Sequence, residues 1–372
     1  MQNNRVYVSS YSMISSLGCS AAETLAGLES QQQLFIKDAV NDFPYPHFAQ
    51  NKFVGSDHNV KASQICLCLL ENIYPDFKTL KNIPIFLASS TGGIRETELA
   101  YTHLDGYPLF DKHFYDTVSH DIKVKYPNID TAMTFSTACS SSGHGMFHAF
   151  NLMKAGIIDK ALVVGYDVLC WTTNVGFDSL KLVSHTGTKP MTKQRDGISL
   201  GDGGGIVLLE TNPSKEPVAE ILGVASNSDG YHISSPDPAG TAQTECIMNA
   251  INMSGIDKSE IGYICSHGTG TVMNDEIELN TVKNLFGGQN IKMTSLKSFI
   301  GHTMGASAVL ELGMSILMLK NGKIYQPSNI DGVESMDDDI IPLHTIETDT
   351  KIFMKNAFGF GGNNVSILCK VL

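Results

Sequence analysis

Short apolar runs recur along the chain, and each ends in a turn of glycine or other small residues. Runs of four to six apolar residues bounded in this way are typical of buried strands. Five such runs predict strands: Ile83–Ala88, Ala161–Gly165, Gly205–Leu209, Ile261–Cys265 and Val365–Leu368. Together they favour a mixed or parallel sheet.

Two longer apolar segments between the predicted strands indicate helices. Gly143–Lys154 and Gly305–Lys320 are apolar nearly all round, so we expect both helices to be buried. Each ends in a lysine shortly before a glycine that can cap the helix. The two predicted helices also follow similar small-residue turns.

The similarity between these two predicted helices extends to other parts of the chain. Strand Ile83–Ala88 enters Ser89-Ser-Thr-Gly-Gly, whereas the strand ending at Cys265 enters Ser266-His-Gly-Thr-Gly-Thr. Self-similarity at this distance indicates an ancient duplication. We therefore expect an N-terminal half over residues 1–212, which carries the candidate nucleophile, and a C-terminal half over residues 213–372, which carries two candidate histidines.

Composition narrows the class of protein. The 372 residues are 42% apolar and 17% charged, as in an ordinary globular α/β protein. A net charge of −12 argues against nucleic-acid binding, which needs a basic surface. No secretion leader or membrane-length apolar run is apparent, which favours a cytoplasmic protein without a membrane partner. The eight cysteines have no paired spacing, so we expect thiols rather than disulfides.

The segment Thr137-Ala-Cys-Ser-Ser-Ser-Gly contains the best candidate nucleophile, Cys139. It joins an extended segment to a buried helix, so the helix dipole and free N–H groups would stabilise a thiolate. The same N–H groups could hold an oxyanion as a thioester carbonyl becomes tetrahedral. A buried cysteine that only fills a tight turn is the alternative.

Two histidines occupy glycine-containing turns. His267 precedes Gly-Thr-Gly-Thr, whose hydroxyls could bind a substrate, and His302 lies in Gly301-His-Thr-Met-Gly. Either histidine alone could be a structural turn residue, but their joint appearance favours catalysis. Lys297 lies near a predicted helix start, where a cation needs a partner, and Glu278 is the candidate for that ion pair.

A glycine-rich loop precedes the last strand. In Asn356-Ala-Phe-Gly-Phe-Gly-Gly-Asn-Asn, small residues surround Phe358 and Phe360, so these aromatics could contact a substrate or act as a gate, or they could only fill the core. The segment Gly201-Asp-Gly-Gly-Gly lacks the Lys-Ser/Thr of a phosphate loop, and no cluster has zinc spacing. We therefore expect no metal and no nucleotide.

In combination, these segments resemble the β-ketoacyl-acyl carrier protein synthases of the thiolase superfamily, specifically the elongating kind with a Cys-His-His triad. The motifs agree in order over nearly the whole chain. They are Thr137-Ala-Cys-Ser, Arg195-Asp-Gly-Ile-Ser-Leu-Gly-Asp, His267-Gly-Thr-Gly-Thr, Lys297-Ser-Phe-Ile-Gly-His and Asn356-Ala-Phe-Gly-Phe-Gly-Gly.

The resemblance implies an α/β, thiolase-like, five-layered αβαβα fold built from two similar halves. It implies that Cys139 takes an acyl chain from a carrier protein, with the N–H groups of Cys139 and Phe360 as the oxyanion hole. His267 and His302 would bind the thioester carbonyl of a malonyl extender. Carbon dioxide would leave, and the enolate would attack the acylated cysteine.

The remaining implied roles concern support and binding. Lys297 and Glu278 match a buried charged network, Thr269 and Thr271 match residues that bind phosphopantetheine, and Phe360 matches the gating aromatic, with Phe358 beside it in the same motif. The substrates would be carried on the phosphopantetheine of acyl carrier protein, and no other cofactor is implied. The partner of the chain would be a second copy, a related ketosynthase or a chain-length-factor subunit.

Some features leave the pathway and the class open. Asn363 and Asp202 depart from the usual threonine and glutamate of the family, which favours a specialised type II pathway, such as an aryl polyene system, over fatty acid synthesis. A non-catalytic chain-length-factor subunit, a chain-initiating synthase or thiolase, and a cysteine hydrolase are the alternatives. For carrier docking, Lys123 and Lys125 form a modest basic candidate patch on an acidic protein.

Overall fold

The computed structural model describes residues 4–31, 45–49, 60–102 and 110–372. Within these residues the chain forms twelve strands and ten α-helices. The strands are β1 (Val6–Ile14), β2 (Ile83–Ala88), β3 (Ile129–Phe135), β4 (Lys160–Asp167), β5 (Gly203–Glu210), β6 (Ala219–Ser228), β7 (Tyr263–Cys265), β8 (Lys292–Thr294), β9 (Lys323–Ile324), β10 (Ile346–Glu347), β11 (Ile352–Gly359) and β12 (Asn363–Val371). The helices are α1 (Ala21–Ser30), α2 (Lys61–Phe77), α3 (Ile94–Thr102), α4 (Asp116–Lys125), α5 (Ser141–Lys154), α6 (Trp171–Ser179), α7 (Thr241–Ser254), α8 (Val272–Phe286), α9 (Lys297–Ile300) and α10 (Ser307–Lys320).

Ten strands form one hydrogen-bonded series in which the same strand order occurs twice. The order is β3-β2-β4-β5-β1-β6-β12-β11-β7-β8. In each set of five strands, the first strand in chain order lies at the centre of the series and the third lies at its outer edge. In both sets the outer three strands are parallel and the inner ones antiparallel. The sets meet where β1 pairs with the start of β6. The two halves therefore place equivalent strands at equivalent positions in the sheet.

Helices α5 and α10 form the central layer. Both contact strands of both halves, and they contact each other. Helices α2 and α4 cover the outer face of the first half, and α7 and α8 cover that of the second. The resulting layers run helix, sheet, helix, sheet, helix, which confirms the predicted five-layered αβαβα fold.

Glycines in the strands allow the central helices to lie close to the sheets. A Cβ atom at Gly165 would lie 2.6 Å from the Cβ of Ser142 on α5, and one at Gly205 would lie 2.6 Å from the Cα of Leu310 on α10. These distances are far below van der Waals contact, so a side chain at either position would force the layers apart. Close packing of the layers thus depends on these small residues.

The two central helices begin at different residues from those predicted. Helix α5 starts at Ser141, two residues earlier, because the Ser141 hydroxyl and N–H both donate to the carbonyl of Ala138. Helix α10 starts at Ser307, two residues later, because Met304–Ala306 forms a 3₁₀ turn first. The predicted glycine stops are present, since Gly156 and Gly322 adopt φ values of 70° and 69°. Among the described helices, none has the length and apolarity to cross a membrane.

Candidate active site

Cys139 lies in the turn between β3 and α5. The preceding residue, Ala138, has a φ of 52°, an uncommon conformation for a residue with a side chain. Its carbonyl accepts hydrogen bonds from the hydroxyls of Ser90 at 2.9 Å and Ser141 at 2.6 Å, which hold the turn in place. The thiol is one residue before the helix cap Ser140 and is only 5% exposed. The sharp turn therefore presents the thiol at the start of the central helix.

Burial controls the ionisation of this thiol. It raises the pKa of Cys139 to about 11, although the charge of Lys297 and the N–H groups of Phe360 and Cys139 itself act to lower it. Burial therefore opposes the thiolate that the helix start was expected to favour, because desolvation penalises the charged form. The N–H groups of Phe360 and Cys139 both act on the sulfur as hydrogen-bond donors, and these are the two groups that the sequence predicted for an oxyanion hole.

His267 follows β7 and is held through its backbone. Its N–H and that of Gly268 donate to the two carboxylate oxygens of Glu278 at 2.8 and 2.9 Å. Its carbonyl accepts from the ammonium group of Lys297 at 2.6 Å. Burial, followed by the charge of Lys297, lowers the pKa of His267 well below its usual range. The lowered pKa favours the neutral imidazole, and the backbone of His267 is fixed in position.

His302 lies in the turn before α10, beside the Arg-Asp-Gly segment. Its backbone bonds to Ser199 at 2.7 Å and to Gly201 at 3.0 Å. The N–H of Met304 donates to its Nδ1 at 3.3 Å, so in the neutral ring the proton is on Nε2. Burial and then the charge of Lys297 lower its pKa well below the usual range. His302 therefore offers an N–H donor at Nε2.

The two imidazoles lie next to each other in an edge-to-face arrangement. Their ring centroids are 5.4 Å apart with an angle of 83° between the planes, and Phe358 lies 6.1 Å from His267. Two neutral imidazoles at this separation can both reach one substrate atom between them. Burial, together with the positive charges nearby, keeps either ring from gaining a proton at neutral pH.

Lys297 does not form the predicted ion pair with Glu278. Its ammonium group pairs with Glu311 of α10 at 2.8 Å, and Lys355 of β11 pairs with the other oxygen of Glu311 at 2.5 Å. All three side chains are completely buried. The carboxylate of Glu278 instead accepts the backbone N–H groups of the His267 turn. The prediction was right about a buried lysine with a partner and wrong about which carboxylate.

One cavity of about 320 Å³ brings the candidate residues together. Its lining includes all three triad residues and all four predicted substrate-binding residues: Cys139, His267, Thr269, Thr271, His302, Phe358 and Phe360. The hydroxyls of Thr269 and Thr271 are 2.9 Å apart. Neither Lys123 nor Lys125 is part of this lining, and Lys125 pairs with Glu71. Within the described residues, no group of three His, Cys, Asp or Glu side chains could hold a metal ion.

Three buried charged residues at the site were not found from the sequence. Glu311 and Lys355 are lone charges in otherwise apolar segments, and that pattern was the available signal. Asp167, at the end of β4, accepts from Ser90 N–H at 2.9 Å and from Gly305 N–H at 2.6 Å. It thereby ties the loop after β2 to the turn that carries His302.

The fold and the site together define a thiolase-like condensing enzyme, with a cysteine and two histidines in one cavity. Two family models match in succession: the β-ketoacyl synthase N-terminal domain over residues 72–214 and the C-terminal domain over residues 218–331. The chain belongs to the β-ketoacyl synthase family, and it is an acyltransferase that catalyses ketosynthase-type condensation.

Individual relatives agree with this assignment. The 3-oxoacyl-[acyl-carrier-protein] synthase 2 of Staphylococcus aureus is 29% identical over 348 residues, which cover 87% of this chain and 83% of the relative. That of Coxiella burnetii (strain RSA 493 / Nine Mile phase I) is 29% identical over 262 residues, covering 66% and 63%. A chain of the ketosynthase (ApeO) complex with its chain length factor (ApeC) from Xenorhabdus doucetiae matches with a TM-score of 0.89 and 26% identity, covering 100% of this chain and 99% of that one.

Proposed function

We propose that this chain condenses an acyl group on Cys139 with a malonyl group on acyl carrier protein, giving a β-ketoacyl-carrier protein and carbon dioxide. The observation that supports this most is the meeting of Cys139, His267 and His302 in one cavity, with two N–H groups directed at the sulfur. A chain-length-factor role is not favoured, because the nucleophile and both histidines are present.

In the first step, the Cys139 sulfur attacks the carbonyl of an acyl-carrier thioester. The N–H groups of Cys139 and Phe360 stabilise the tetrahedral oxyanion. The intermediate collapses by breaking the bond to the carrier sulfur, which leaves as a thiol with the proton that Cys139 gives up. Because the pKa of Cys139 is raised to about 11, this proton must leave the sulfur as the acyl group approaches.

In the second step, a malonyl thioester places its carbonyl oxygen between His267 and His302. Loss of carbon dioxide turns this carbonyl into an enolate, and the neutral imidazoles donate hydrogen bonds to the oxygen as its charge grows. The enolate carbon forms a bond to the acyl carbonyl on Cys139, and the cysteine sulfur leaves and takes up a proton. Thr269 and Thr271 bind the phosphopantetheine arm, while Phe358 and Phe360 border the acyl entrance.

Lys297 and Glu278 act as positioning residues in this scheme, since each forms a hydrogen bond with the backbone of His267 rather than with a substrate. The chemistry needs no cofactor beyond the phosphopantetheine of the carrier. We further propose that the chain consists of two duplicated halves, residues 1–212 and 213–372. The repeated strand order and the break between the two family models at residues 214 and 218 support this division.

The proposed partners are acyl carrier protein and either a second copy or a related ketosynthase or chain-length-factor subunit. One similar chain comes from a complex of the ketosynthase ApeO with its chain length factor. In this chain β3 is the outer strand of its half, no strand among the described residues pairs with its outer edge, and it carries exposed residues such as Asp130 and Thr134. An unpaired edge can add strands from another subunit. We place the reaction in the cytoplasm, in a specialised type II pathway.

The test begins with acyl-loaded carrier protein and the purified chain, alone and with Cys139→Ala. Intact mass should show one acyl group on the wild type and none on the variant. Addition of malonyl-loaded carrier should then give a product extended by two carbons. Cys170→Ala is a matched control, because this buried thiol also has a pKa raised to about 11 but lies outside the cavity lining.

Two results would contradict the proposal. Acylation that persists in Cys139→Ala would exclude this residue as the nucleophile. Release of free acid from acyl-carrier without any extended product would instead indicate a thioester hydrolase. If no acyl donor labels the wild type, a search for a ketosynthase partner bound to the chain would test the chain-length-factor alternative.

A further inference from the structure

Lys355 is a buried cation next to the catalytic histidine turn. Strand β11 pairs in parallel with β7, which places Lys355 opposite Cys265, two residues before His267. Its ammonium group donates to the carbonyl of Ser266 at 3.0 Å and to Glu311 at 2.5 Å. Its side chain has no exposed surface. Burial of a charged lysine in the middle of a strand costs folding free energy unless the ammonium group is paired and hydrogen-bonded.

Two lysines thus donate hydrogen bonds to the carbonyls of two consecutive residues, Ser266 and the catalytic His267. Lys297 holds the carbonyl of His267 and Lys355 that of Ser266, and both share the carboxylate of Glu311. Asn356, the next residue on β11, donates to Glu278 at 3.3 Å. The end of β11 therefore holds the His267 turn together with Lys297 of α9.

The shared carboxylate leaves one positive charge unbalanced within the group formed by Lys297, Glu311 and Lys355. Burial works against the charged form of Lys355, but Cys265 and Glu311 outweigh it and raise its pKa, so the ammonium group stays charged. Burial and the charges of both lysines act on both imidazoles in the same direction. A single lysine would balance Glu311 and leave no excess charge.

Other titratable or charged groups also surround the two imidazoles or the residues that hold them. They are Glu278 and Asp275 of α8, Asp167 of β4, Cys265 of β7 and Cys139 before α5. Burial raises the pKa of Glu278, Asp275 and Asp167, which favours their neutral forms.

We propose that Lys355 is a second positioning residue for the condensation, which anchors the His267 turn and adds a positive charge next to it. This inference rests on the function proposed above. The charge favours the enolate that forms between the imidazoles and opposes protonation of either ring. The expected consequence is that loss of Lys355 harms decarboxylation, in which the histidines act, more than acyl transfer to Cys139.

The test compares the wild type with Lys355→Met and Lys355→Gln in two half-reactions. The first is acylation of Cys139 by acyl-carrier, measured by intact mass, and the second is decarboxylation of malonyl-carrier, measured by carbon dioxide release from pH 5 to 9. Lys351→Met is the matched control, because Lys351 is an exposed lysine just before the same strand. Acylation also reports that each variant is folded.

We expect decarboxylation to fall about tenfold or more in both variants, because a displaced donor loses alignment with the substrate. Its acid limb should move up by about one pH unit, because a nearby positive charge no longer opposes imidazole protonation. Lys355→Gln keeps a donor but not the charge, so it should show the pH shift with a smaller loss of rate than Lys355→Met. Acylation should stay within a few-fold of the wild type.

The failures of the two proposals are distinguishable. If the wild type neither accepts an acyl group nor decarboxylates malonyl-carrier, the function itself is wrong. If the wild type is active and both variants acylate normally, an unchanged rate and acid limb would overturn the role of Lys355. Equal losses in both half-reactions would also overturn it, since they would indicate a general structural effect.

Discussion

Replacement of Glu311 by glutamine tests whether one carboxylate holds two buried lysines. The change keeps the shape of the side chain and removes its charge. In the wild type the carboxylate oxygens lie 2.8 Å from the ammonium group of Lys297 and 2.5 Å from that of Lys355, and none of the three side chains is exposed. The variant therefore leaves two buried ammonium groups without a counter-ion.

The expected loss can be bounded in two ways. Breaking a buried ion pair costs about 3–5 kcal/mol of the free energy of unfolding. A lysine can escape this cost by losing its proton, which at pH 7 requires about 4.6 kcal/mol for a group with a usual pKa of about 10.4. We therefore expect the free energy of unfolding of Glu311→Gln to fall by about 3–5 kcal/mol at pH 7.

The pH dependence gives a sharper test. In the variant the pKa of at least one lysine falls below its value in the unfolded chain, so the unfolded state binds more protons and stability rises with pH. The deficit relative to the wild type should shrink by up to about 1.4 kcal/mol per pH unit between pH 7 and 9.5. Urea denaturation followed by circular dichroism at several pH values measures it.

Glu347→Gln is the matched control, because Glu347 is 79% exposed and lies 4.0 Å from Lys323. Its stability should change by less than about 0.5 kcal/mol. A loss below about 1 kcal/mol in Glu311→Gln, or a deficit that does not depend on pH, would refute the reasoning. Either result would mean that the two lysines do not depend on this carboxylate for their charge.

Three further predictions concern individual residues. Asp167→Asn should lower the free energy of unfolding by about 1–3 kcal/mol, because an amide cannot accept all the hydrogen bonds from Ser89, Thr91 and Gly305; unchanged urea midpoints would contradict this. Thr269→Val should lower kcat/KM for malonyl-carrier about fivefold, as expected for one lost hydrogen bond, and lower the free energy of unfolding by about 1 kcal/mol through loss of the bond to the Thr271 hydroxyl; unaltered kinetics would argue against pantetheine binding there. The pKa of His302 is lower in the folded than in the unfolded state. As the pH drops below 6.5, the wild type should therefore lose up to about 1.4 kcal/mol of stability per pH unit more than His302→Asn loses. Parallel stability curves at pH 7.5 and 5.5 would exclude this.

The sequence was sufficient for the elements whose signals are local. Strand Ile83–Ala88 has the bounds that its apolar run predicted, and the glycine stops of the two central helices lie where the lysine-glycine pattern placed them. The meeting of Cys139, His267 and His302 in one cavity also agrees with their motifs. Backbone turns that must bring a side chain to a ligand require small neighbours, and this requirement is visible in the chain itself.

The start of each central helix was less certain from the sequence. Ser141 joins α5 because its hydroxyl reaches back to Ala138, and Gly305 stays out of α10. A Cβ atom at Gly305 would lie 2.7 Å from the N atom of Ser90, and the Gly305 N–H bonds to Asp167. The contacts of Gly305 join segments more than a hundred residues apart, so no local pattern contains them.

The protonation of Cys139 and the partner of Lys297 depended on tertiary structure alone. The helix start that favours a thiolate is a local feature, but burial within the fold raises the pKa of the thiol to about 11. Glu278 and Glu311 were both possible partners by distance along the chain. The packing of α10 against β7 and β11 decided for Glu311, because a buried charge is stabilised only by the groups that the fold places within hydrogen-bond reach.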